Sequence, residues 1–480
     1  MLRSLKRTRT VDQLGRERLS VKKSDLLIGG EICPAKSGRY YPLYSPVDGE
    51  RVAEVADAGQ VDVDRAATAA RDAFYTEWKF CDVEKKRALF AKLKETLTAM
   101  ADELAEAKVQ PPAGGGIPPL VERLIDYYVG MLDDGAGSLI EHSDQRTNYT
   151  YKEPLGVVAI YAPFNGPMLG ALLAAVPALV AGNTVVLKAP EQEAPQALKT
   201  MQVFHEAGFP AGVVNAISGS GPEAGQALVA HPATRLISFT GSTATGKKIM
   251  AAAADDLKRV QLNLGSKTAQ IIRPDADLEA AATATAGSSF PGQACSAISR
   301  IIVHKSVRDE FVALLQEKAQ AAGPSMLIDK AAIARVERYV EMGKAQGTLL
   351  FGGSLPPGDE YAKGCYYEPT AIAFDDQSCP VCRDEIFGPV VSVLTFDSDD
   401  EALALANDTD YGLLVSLWTQ EPERQRYFTR RLEVGIVTIN SGSALSHRTP
   451  WGGFKQSGIG RRYGEMGLEP FFETKTVWIS

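Results

Sequence analysis

Residues 156–254, which begin Gly156-Val-Val-Ala-Ile-Tyr161, decide the fold because short apolar runs alternate there with helical patterns. The predicted order is strand 156–161, helix 168–181, strand 184–187, helix 195–208, strand 213–217, helix 223–230, strand 236–239 and helix 244–253. Repeated strand–helix units predict parallel strands covered by helices, which is a doubly wound α/β domain. Such a domain binds its ligand at the carboxyl ends of its strands.

The alternation continues outward on both sides of this stretch. Upstream, residues 62–74 and 83–109 are predicted as amphipathic helices, and the Pro- and Gly-rich residues 110–119 as a loop. Downstream, the pattern predicts strand 301–303, helix 307–322, helix 331–346 and strand 390–395. These elements indicate a second α/β domain.

Length and composition exclude several classes of protein. The chain has 480 residues, of which 45% are hydrophobic and 23% are charged, as in ordinary globular proteins of about two to four domains. The net charge of −8 gives no indication of a nucleic-acid partner. The longest apolar run, residues 168–182, contains Pro177 and is shorter than the roughly 20 residues of a membrane span. We therefore expect no transmembrane helix.

The N-terminus and the cysteines bear on location. The first 23 residues contain eight basic residues but no apolar segment follows, which predicts a solvated arm rather than a secretory signal. Asp12 and Glu17 count against a transit peptide. Six cysteines in so long a chain predict reduced thiols and a cytoplasmic location. Cys379 and Cys382 have the C-x-x-C spacing, but no second pair completes a zinc site, so we expect no metal.

Two segments could carry chemistry. Cys295 ends the small-residue turn Ser289-Phe-Pro-Gly-Gln-Ala-Cys295, where a thiol can meet a substrate, although a single cysteine is more often buried packing. Gly241 and Ser242 stand between a predicted strand and a predicted helix, so backbone N–H groups there could hold a phosphate. The alternative is a helix N-cap formed by Ser242 or Thr243.

Taken together, these segments resemble the aldehyde dehydrogenase superfamily from about residue 27 to residue 477. The motifs that carry the resemblance are Glu153-Pro-Leu-Gly-Val-Val, Pro163-Phe-Asn165, Gly182-Asn-Thr-Val-Val-Leu-Lys188, Ser238-Phe-Thr-Gly-Ser242, Gly292-Gln-Ala-Cys295, Glu385-Ile-Phe-Gly-Pro-Val390, Asn407-Asp-Thr-Asp-Tyr-Gly-Leu413 and Pro450-Trp-Gly-Gly-Phe-Lys-Gln-Ser-Gly458. The resemblance implies a Rossmann-type cofactor domain, an α/β catalytic domain and a small β element that joins subunits into homodimers or homotetramers.

The resemblance also implies domain boundaries. After a basic arm over residues 1–23, the implied segments are residues 24–137 and 153–262 for the NAD-binding domain, 263–443 for the catalytic domain, and 138–152 and 464–480 for the oligomerisation element.

The resemblance implies a role for each matching residue. The Cys295 thiolate would attack the aldehyde carbonyl, and the Asn165 side chain and the Cys295 backbone N–H would hold the oxyanion. Lys188 and Glu191 match contacts to the adenosine ribose, where an acidic group favours NAD over NADP. The other implied cofactor contacts are Gly241, Ser242, Glu385 and Phe387. The alternative for Glu385 is a surface salt bridge.

Three departures from the family concern proton transfer. Asn263 stands where the family usually has the glutamate that activates water for thioester hydrolysis, and Ala174 and Arg462 stand where a lysine and a second glutamate are common. General base catalysis is worth typically about 10² to 10⁴-fold, so hydrolysis should be slow unless another group intervenes. Three hypotheses follow: water activated in another way, acyl transfer to coenzyme A, or a catalytically weak member that serves as a binding or scaffold subunit.

The substrate leaves a weaker trace in the sequence. Gly166 and Leu173 stand where small-aldehyde enzymes of the family often have aromatic residues. We therefore predict a wide tunnel for a bulky or aromatic aldehyde, with Phe290 and Trp451 as its remaining walls.

Overall fold

The computed structural model describes residues 21–111, 117–134, 137–143, 146–442 and 445–479. Most of the predicted basic arm, residues 1–20, and the centre of the predicted loop, residues 112–116, lie outside these ranges. The predicted α/β class is confirmed.

The strands of the described residues form six sheets with flanking helices; the two largest have eight and seven strands, and the smaller ones include two of three strands, β1-β5-β4 and β6-β7-β25. The strands are β1 (Lys22–Ser24), β2 (Leu26–Ile28), β3 (Glu31–Cys33), β4 (Tyr40–Tyr44), β5 (Arg51–Ala56), β6 (Leu139–Ser143), β7 (Arg146–Pro154), β8 (Val157–Tyr161), β9 (Thr184–Lys188), β10 (Val214–Ile217), β11 (Thr234–Thr240), β12 (Arg259–Asn263), β13 (Thr268–Ile272), β14 (Ile298–His304), β15 (Ser325–Met326), β16 (Thr348–Phe351), β17 (Tyr366–Tyr367), β18 (Thr370–Ala373), β19 (Val390–Phe396), β20 (Tyr411–Gly412), β21 (Leu414–Trp418), β22 (Ile436–Ile439), β23 (Phe454–Lys455), β24 (Gly458–Ile459) and β25 (Phe472–Ile479). The α-helices are α1 (Gln60–Ala73), α2 (Val83–Ala99), α3 (Ala101–Glu106), α4 (Pro119–Gly130), α5 (Pro167–Val180), α6 (Ala194–Glu206), α7 (Gln226–Ala230), α8 (Thr243–Ala254), α9 (Leu278–Ser289), α10 (Arg308–Ala322), α11 (Lys330–Gln346), α12 (Pro380–Arg383), α13 (Asp399–Asn407) and α14 (Pro422–Thr429).

The first sheet has the order β24-β12-β11-β8-β9-β10-β2-β3. Its five inner strands, β8 to β12, run parallel, as the strand–helix alternation predicts. Strands β8, β9 and β10 are buried along their whole length, because helices cover both faces of the sheet. Strand β24 pairs with β12 in the antiparallel direction, although it lies almost 200 residues further along the chain. No local sequence pattern predicts this pairing.

Two predicted helices differ from the structure. Residues 83–109 form two helices rather than one, because Met100 leaves helical geometry at φ −97° and ψ 12°. The predicted helix over residues 223–230 contains only the short α7. Before it, the Gly225 N–H donates to the Ser220 carbonyl oxygen, which closes a wider turn over Gly221–Gly225.

The second sheet has the order β16-β18-β19-β14-β13-β21-β22 and is parallel except at β16. A link of residues 264–267 joins it to the first sheet, since β12 ends at Asn263 and β13 begins at Thr268. This link is tied to the chain before β24: the Leu264 N–H donates to the Ser457 carbonyl oxygen at 3.0 Å, and Ser457 Oγ donates to the Gly265 carbonyl oxygen at 2.7 Å.

The third sheet has the order β6-β7-β25 and lies in the segments predicted to form the bridging element, whose role stays a prediction. Strands β7 and β25 pair antiparallel from Pro154 opposite Phe472 to Thr147 opposite Ile479. Within the described residues, no helix is both long enough and apolar enough to cross a membrane.

Candidate active site

A cavity of about 1140 Å³ lies where the parallel strands of the first sheet end. Strands β8, β9, β11 and β12 end at Tyr161, Lys188, Thr240 and Asn263, and all four residues line it. The structure brings every predicted catalytic and cofactor-contact residue to this cavity: Asn165, Lys188, Glu191, Gly241, Ser242, Asn263, Cys295, Glu385 and Phe387. Their roles stay predictions, but their common location is a finding.

Cys295 reaches the cavity from a tight turn before β14. Gly292 has φ +71° in this turn, and a Cβ there would lie 2.7 Å from the backbone of residues 388 and 389, so glycine is required. Burial, with a smaller effect of the Glu385 carboxylate, raises the pKa of the Cys295 thiol to about 11, although Arg462 acts in the opposite direction. The resting thiol is therefore mostly protonated at neutral pH.

Asn165 lies beside the cysteine turn. Its Nδ2 donates to the Gln293 carbonyl oxygen at 2.7 Å, two residues before Cys295. An amide nitrogen has two N–H groups, so one remains available for a substrate oxygen. Gly166 follows as the residue before α5, and a Cβ placed there would meet no described atom within 4 Å. There is thus open space next to the predicted oxyanion donor.

Lys188 and Glu191 form an ion pair at the wall of the cavity, with 3.5 Å between Lys188 Nζ and Glu191 Oε1. The Gly221 N–H also donates to Oε1 at 2.8 Å. Burial lowers the pKa of Lys188, and Glu191 opposes this shift. The ammonium and carboxylate are held side by side, which suits the paired hydroxyl groups of a ribose.

Ser242 caps the helix that begins at the cavity. The Thr245 N–H donates to Ser242 Oγ at 3.3 Å, so the predicted N-cap is confirmed for Ser242. A Cβ on Gly241 would lie 2.5 Å from the Phe239 ring, which requires glycine at this entry to α8. A capped helix start retains further N–H groups and a positive end, so the cap is compatible with phosphate binding.

Glu385 contacts the link between the two sheets. Its Oε1 accepts the Ser266 N–H at 3.0 Å, and a Cβ on Gly265 would lie 2.4 Å from its Oε2. Burial raises the pKa of Glu385, while the Ser266 N–H lowers it. Phe387 has φ +55°, and its ring meets the Phe164 ring edge-on with 5.7 Å between centroids.

Arg335 also lines the cavity, although no motif in the sequence predicted it there. Its Nε donates to the Ile386 carbonyl oxygen at 2.8 Å, and its Nη2 to the Phe387 carbonyl oxygen at 3.4 Å. One turn further along α11, Tyr339 OH donates to Asp384 Oδ2 at 2.9 Å. The sequence did contain one indication of this contact. Arg335 and Tyr339 are spaced i, i+4 on a predicted helix, so both side chains lie on the same face of it.

The three departures from the family take different places. Asn263 is 9% exposed and lines the cavity, and its Oδ1 has no hydrogen-bond partner among the described residues. Arg462 is buried and lies close enough to influence the pKa of Cys295. Ala174 is buried in the apolar core around α5. An amide accepts no proton at neutral pH, so Asn263 cannot act as a general base.

The structure corrects one predicted substrate wall. Phe290 is only 2% exposed and packs in the core of the second sheet, 6.3 Å from the Phe351 ring, rather than at the cavity surface. Its place at the end of the apolar face of α9 explains this burial. Leu173 and Trp451 are half-buried at the edge of the core around α5, and their predicted contact with substrate stays a prediction.

No group of three or more His, Cys, Asp or Glu side chains in the described ranges is placed to hold a metal ion. Cys379 and Cys382 are both buried.

Comparison with known proteins covers almost the whole chain. A sequence model described as the aldehyde dehydrogenase family matches residues 32–477. The chain is 37% identical over 479 residues to the NADP/NAD-dependent aldehyde dehydrogenase PuuC of Escherichia coli (strain K12), with 95% of each chain covered. It is 36% identical over 487 residues to retinal dehydrogenase 2 of Homo sapiens, with 96% of this chain and 92% of that protein covered.

A solved structure agrees with the sequence matches. PnpE, from Pseudomonas sp. WBC-3, was crystallised in complex with nicotinamide adenine dinucleotide. This chain is 36% identical to PnpE in sequence, and the two structures superimpose with a TM-score of 0.89 over 95% of this chain and 97% of that chain. The chain therefore belongs to the aldehyde dehydrogenase family.

Proposed function

We propose that this aldehyde dehydrogenase uses NAD to oxidise an aldehyde to a carboxylic acid through a thiohemiacetal and a thioester on Cys295. The observation that carries the proposal is the common cavity that holds Cys295, Asn165 and the predicted cofactor contacts together. Each of these residues alone could have a purely structural role. Together they lie at the carboxyl ends of parallel strands, which is where α/β folds bind ligands.

The residues present fit a dinucleotide. Lys188 and Glu191 would hold the adenosine ribose, Ser242 at the start of α8 the pyrophosphate, and Glu385 and Phe387 the nicotinamide ribose. The glycine at 265 leaves room beside the Glu385 carboxylate that a Cβ would fill. The negative charge of Glu191 favours NAD over NADP, because a 2′-phosphate would be repelled. When bound, NAD supplies a hydride acceptor.

The chain's own residues perform the other steps. The Cys295 thiol gives its proton to water, and its sulfur, which keeps the electron pair, attacks the carbonyl carbon of the aldehyde. The carbonyl oxygen becomes an oxyanion, which the free N–H of Asn165 Nδ2 and the backbone N–H of Cys295 would stabilise. Loss of hydride from the former aldehyde carbon restores the carbonyl and leaves a thioester on Cys295.

The release of the acyl group is the step with two candidate routes. Hydrolysis needs water that is activated by a group other than Asn263, because an amide accepts no proton. Acyl transfer to coenzyme A is the second candidate, favoured by the amide at position 263 because a thiol nucleophile needs no carboxylate base. If neither occurs, the chain is a catalytically weak binding or scaffold subunit.

We further propose a bulky or aromatic aldehyde as substrate. The open space beside Gly166 supports this, since a side chain there would narrow the approach to Asn165. Retinal dehydrogenase 2, a relative at 36% identity, is named for a large apolar aldehyde.

The proposed organisation of the enzyme follows the family. We propose the domain boundaries given above, a homodimer or homotetramer joined through the sheet β6-β7-β25, and a cytoplasmic location.

The deciding experiment is stopped-flow measurement of NADH with purified protein, NAD and a panel of aliphatic and aromatic aldehydes, with and without coenzyme A. Steady turnover without coenzyme A supports hydrolysis. A burst that stalls without it and continues with it supports acyl transfer. The proposal would be overturned in favour of the scaffold hypothesis if no aldehyde gave a burst of NADH and the Cys295→Ser variant behaved like the wild-type protein.

A further inference from the structure

One hydrogen bond orients the exposed side chain of Asn165. Its Nδ2 donates to the Gln293 carbonyl oxygen at 2.7 Å, and the described residues offer its amide no other partner. An unrestrained amide can turn over by 180°, which exchanges its nitrogen and its oxygen. The bond to a carbonyl oxygen prevents this exchange, because only the nitrogen can donate. It therefore keeps a second N–H available for a substrate oxygen, whereas Oδ1 in that place would repel an oxyanion.

The carbonyl oxygen that accepts this bond belongs to the cysteine turn, residues 290–295, and two bonds tie this turn to residues 325–328. Ser325 Oγ donates to the carbonyl oxygen of the first residue of the turn. The Ile328 N–H donates to Gln293 Oε1 at 2.8 Å. The residue whose main chain orients the amide is thus also the residue whose side chain anchors the turn.

The segment that receives these bonds is itself fixed. Strand β15 within it pairs with β17, and the Leu327 N–H donates to the Cys365 carbonyl oxygen at 2.7 Å. Directly after it, Asp329 caps α11. Because its backbone is held on both sides, the Ile328 N–H is a fixed point from which the cysteine turn is positioned.

The Gln293 side chain makes its contact at a cost in stability. Its Nε2 is buried and has no hydrogen-bond partner among the described residues. A buried donor without a partner is unfavourable, and an apolar side chain of similar length, such as that of methionine, would avoid this. The bond from the Ile328 N–H to Oε1 is what a glutamine provides here and a methionine does not.

We propose that Gln293 is a positioning residue for the oxyanion site. Its side chain anchors the cysteine turn to residues 325–328, and its main-chain carbonyl, fixed in this way, holds the Asn165 amide with one N–H free for the substrate oxygen. Gln293 acts through Asn165 and needs no contact of its own with substrate or cofactor. The inference rests on the proposed function in taking Cys295 as the nucleophile and Asn165 as the oxyanion donor.

The test is a double-mutant cycle between Gln293 and Asn165 in the full-length protein, measured as the rate of the NADH burst with NAD and benzaldehyde. Gln293→Met removes Oε1 and should slow the burst about tenfold, because a small displacement of a catalytic donor is costly. Asn165→Ala removes the donor and should slow it about 10²-fold. The double variant should be within about twofold of Asn165→Ala, because no amide is left to orient.

Three further variants separate orientation from general damage. Gln293→Glu keeps an acceptor oxygen at the same length and should slow the burst less than Gln293→Met. Gln293→Ala replaces the methionine variant in the cycle if the latter does not fold. Gln316→Met is the matched control, since Gln316 is a half-buried glutamine of α10 that does not line the cavity, and it should leave the burst unchanged.

A second readout needs no NAD. Benzaldehyde adds reversibly to Cys295: the sulfur bonds to the carbonyl carbon, the thiol proton passes to the carbonyl oxygen, and the resulting thiohemiacetal is not alkylated by iodoacetamide. The benzaldehyde concentration that halves the alkylation rate should rise about threefold or more in Gln293→Met and in Asn165→Ala, and no further in the double variant. Cys295→Ser gives the background from the other cysteines.

The inference is overturned if Gln293→Met slows the Asn165→Ala protein as strongly as it slows the wild type, which is what mere loosening of the fold would do. It is also overturned if Gln293→Met behaves like the wild type, or if Gln293→Glu is as slow as Gln293→Met. If the protection cycle is as expected but wild-type protein forms no NADH with any aldehyde, the proposed function fails and the inference stands. If wild-type protein gives a burst and the two substitutions act independently, only the inference fails.

Discussion

Replacing Asn263 by glutamate should convert a slow hydrolysis into a fast one. The side chain at 263 lines the cavity that holds Cys295, and its Oδ1 has no partner to lose among the described residues. A carboxylate placed there is largely buried, and burial raises the pKa of a carboxyl group towards the range in which a general base is most effective. A positioned general base contributes about 10² to 10⁴-fold, or about 3 to 5 kcal/mol of barrier.

The assay is stopped-flow NADH formation with NAD and excess aldehyde, in the absence of coenzyme A. Wild-type protein should show a burst followed by a slow phase, and Asn263→Glu should raise the slow-phase rate by at least about tenfold with the burst retained. Asn263→Gln is the matched control, with the length of glutamate and no carboxylate, and should stay slow. If wild-type protein shows no burst, or if the glutamate and glutamine variants turn over equally, thioester hydrolysis is not limited by a missing base at position 263 and the reasoning is wrong.

Three further predictions concern the cofactor end and stability. The Glu191→Gln variant keeps an oxygen for the Gly221 N–H but loses the negative charge. It should lower the preference for NAD over NADP, measured as the ratio of kcat/KM values, by about tenfold. An unchanged ratio would contradict the idea that Glu191 repels the 2′-phosphate of NADP. Gly265→Ala places a Cβ 2.4 Å from Glu385 Oε2, so the dissociation constant for NAD should rise about tenfold by fluorescence titration, while a normal constant would show that Glu385 does not depend on this space. Glu193 is fully buried, and burial raises its pKa to about 7 although two backbone N–H groups lower it. Its folded pKa exceeds its unfolded one, so its contribution to the free energy of unfolding is present below about pH 4.5 and lost, by about 3 kcal/mol, as the pH rises to about 7. Urea unfolding of wild type and Glu193→Gln should show this difference, and parallel pH profiles would refute it.

Local patterns predicted much of the fold because buried parallel strands and their covering helices have distinct periodicities. The four strands predicted between residues 156 and 239 are present, and the last residues of three of them, Tyr161, Lys188 and Thr240, line the cavity. Strand β24 was not predicted, because a two-residue strand that pairs across almost 200 residues has no periodicity of its own.

The features of the site that the sequence did not predict have the same physical origin, namely contacts between distant segments. The residues matched by motif were found in one cavity, but the burial of Phe290 depends on what packs against it, which its own turn does not reveal. Arg335 was missed because its contacts are to carbonyl oxygens of a distant segment, and these leave no mark in residue type. The burial of Arg462 likewise depends on a contact between β11 and the end of the chain, which the residues around Arg462 do not reveal.

The link of residues 264–267 has a consequence for how the two sheets can move. It begins directly after Asn263, and its Ser266 N–H holds the Glu385 carboxylate that carries the proposed nicotinamide contact. A rotation of one sheet against the other at this link would pull that bond apart and displace residue 263. A rotation that opened the cleft would therefore take the site apart at Glu385 and at residue 263, so these contacts are kept only while the two sheets hold their relative position.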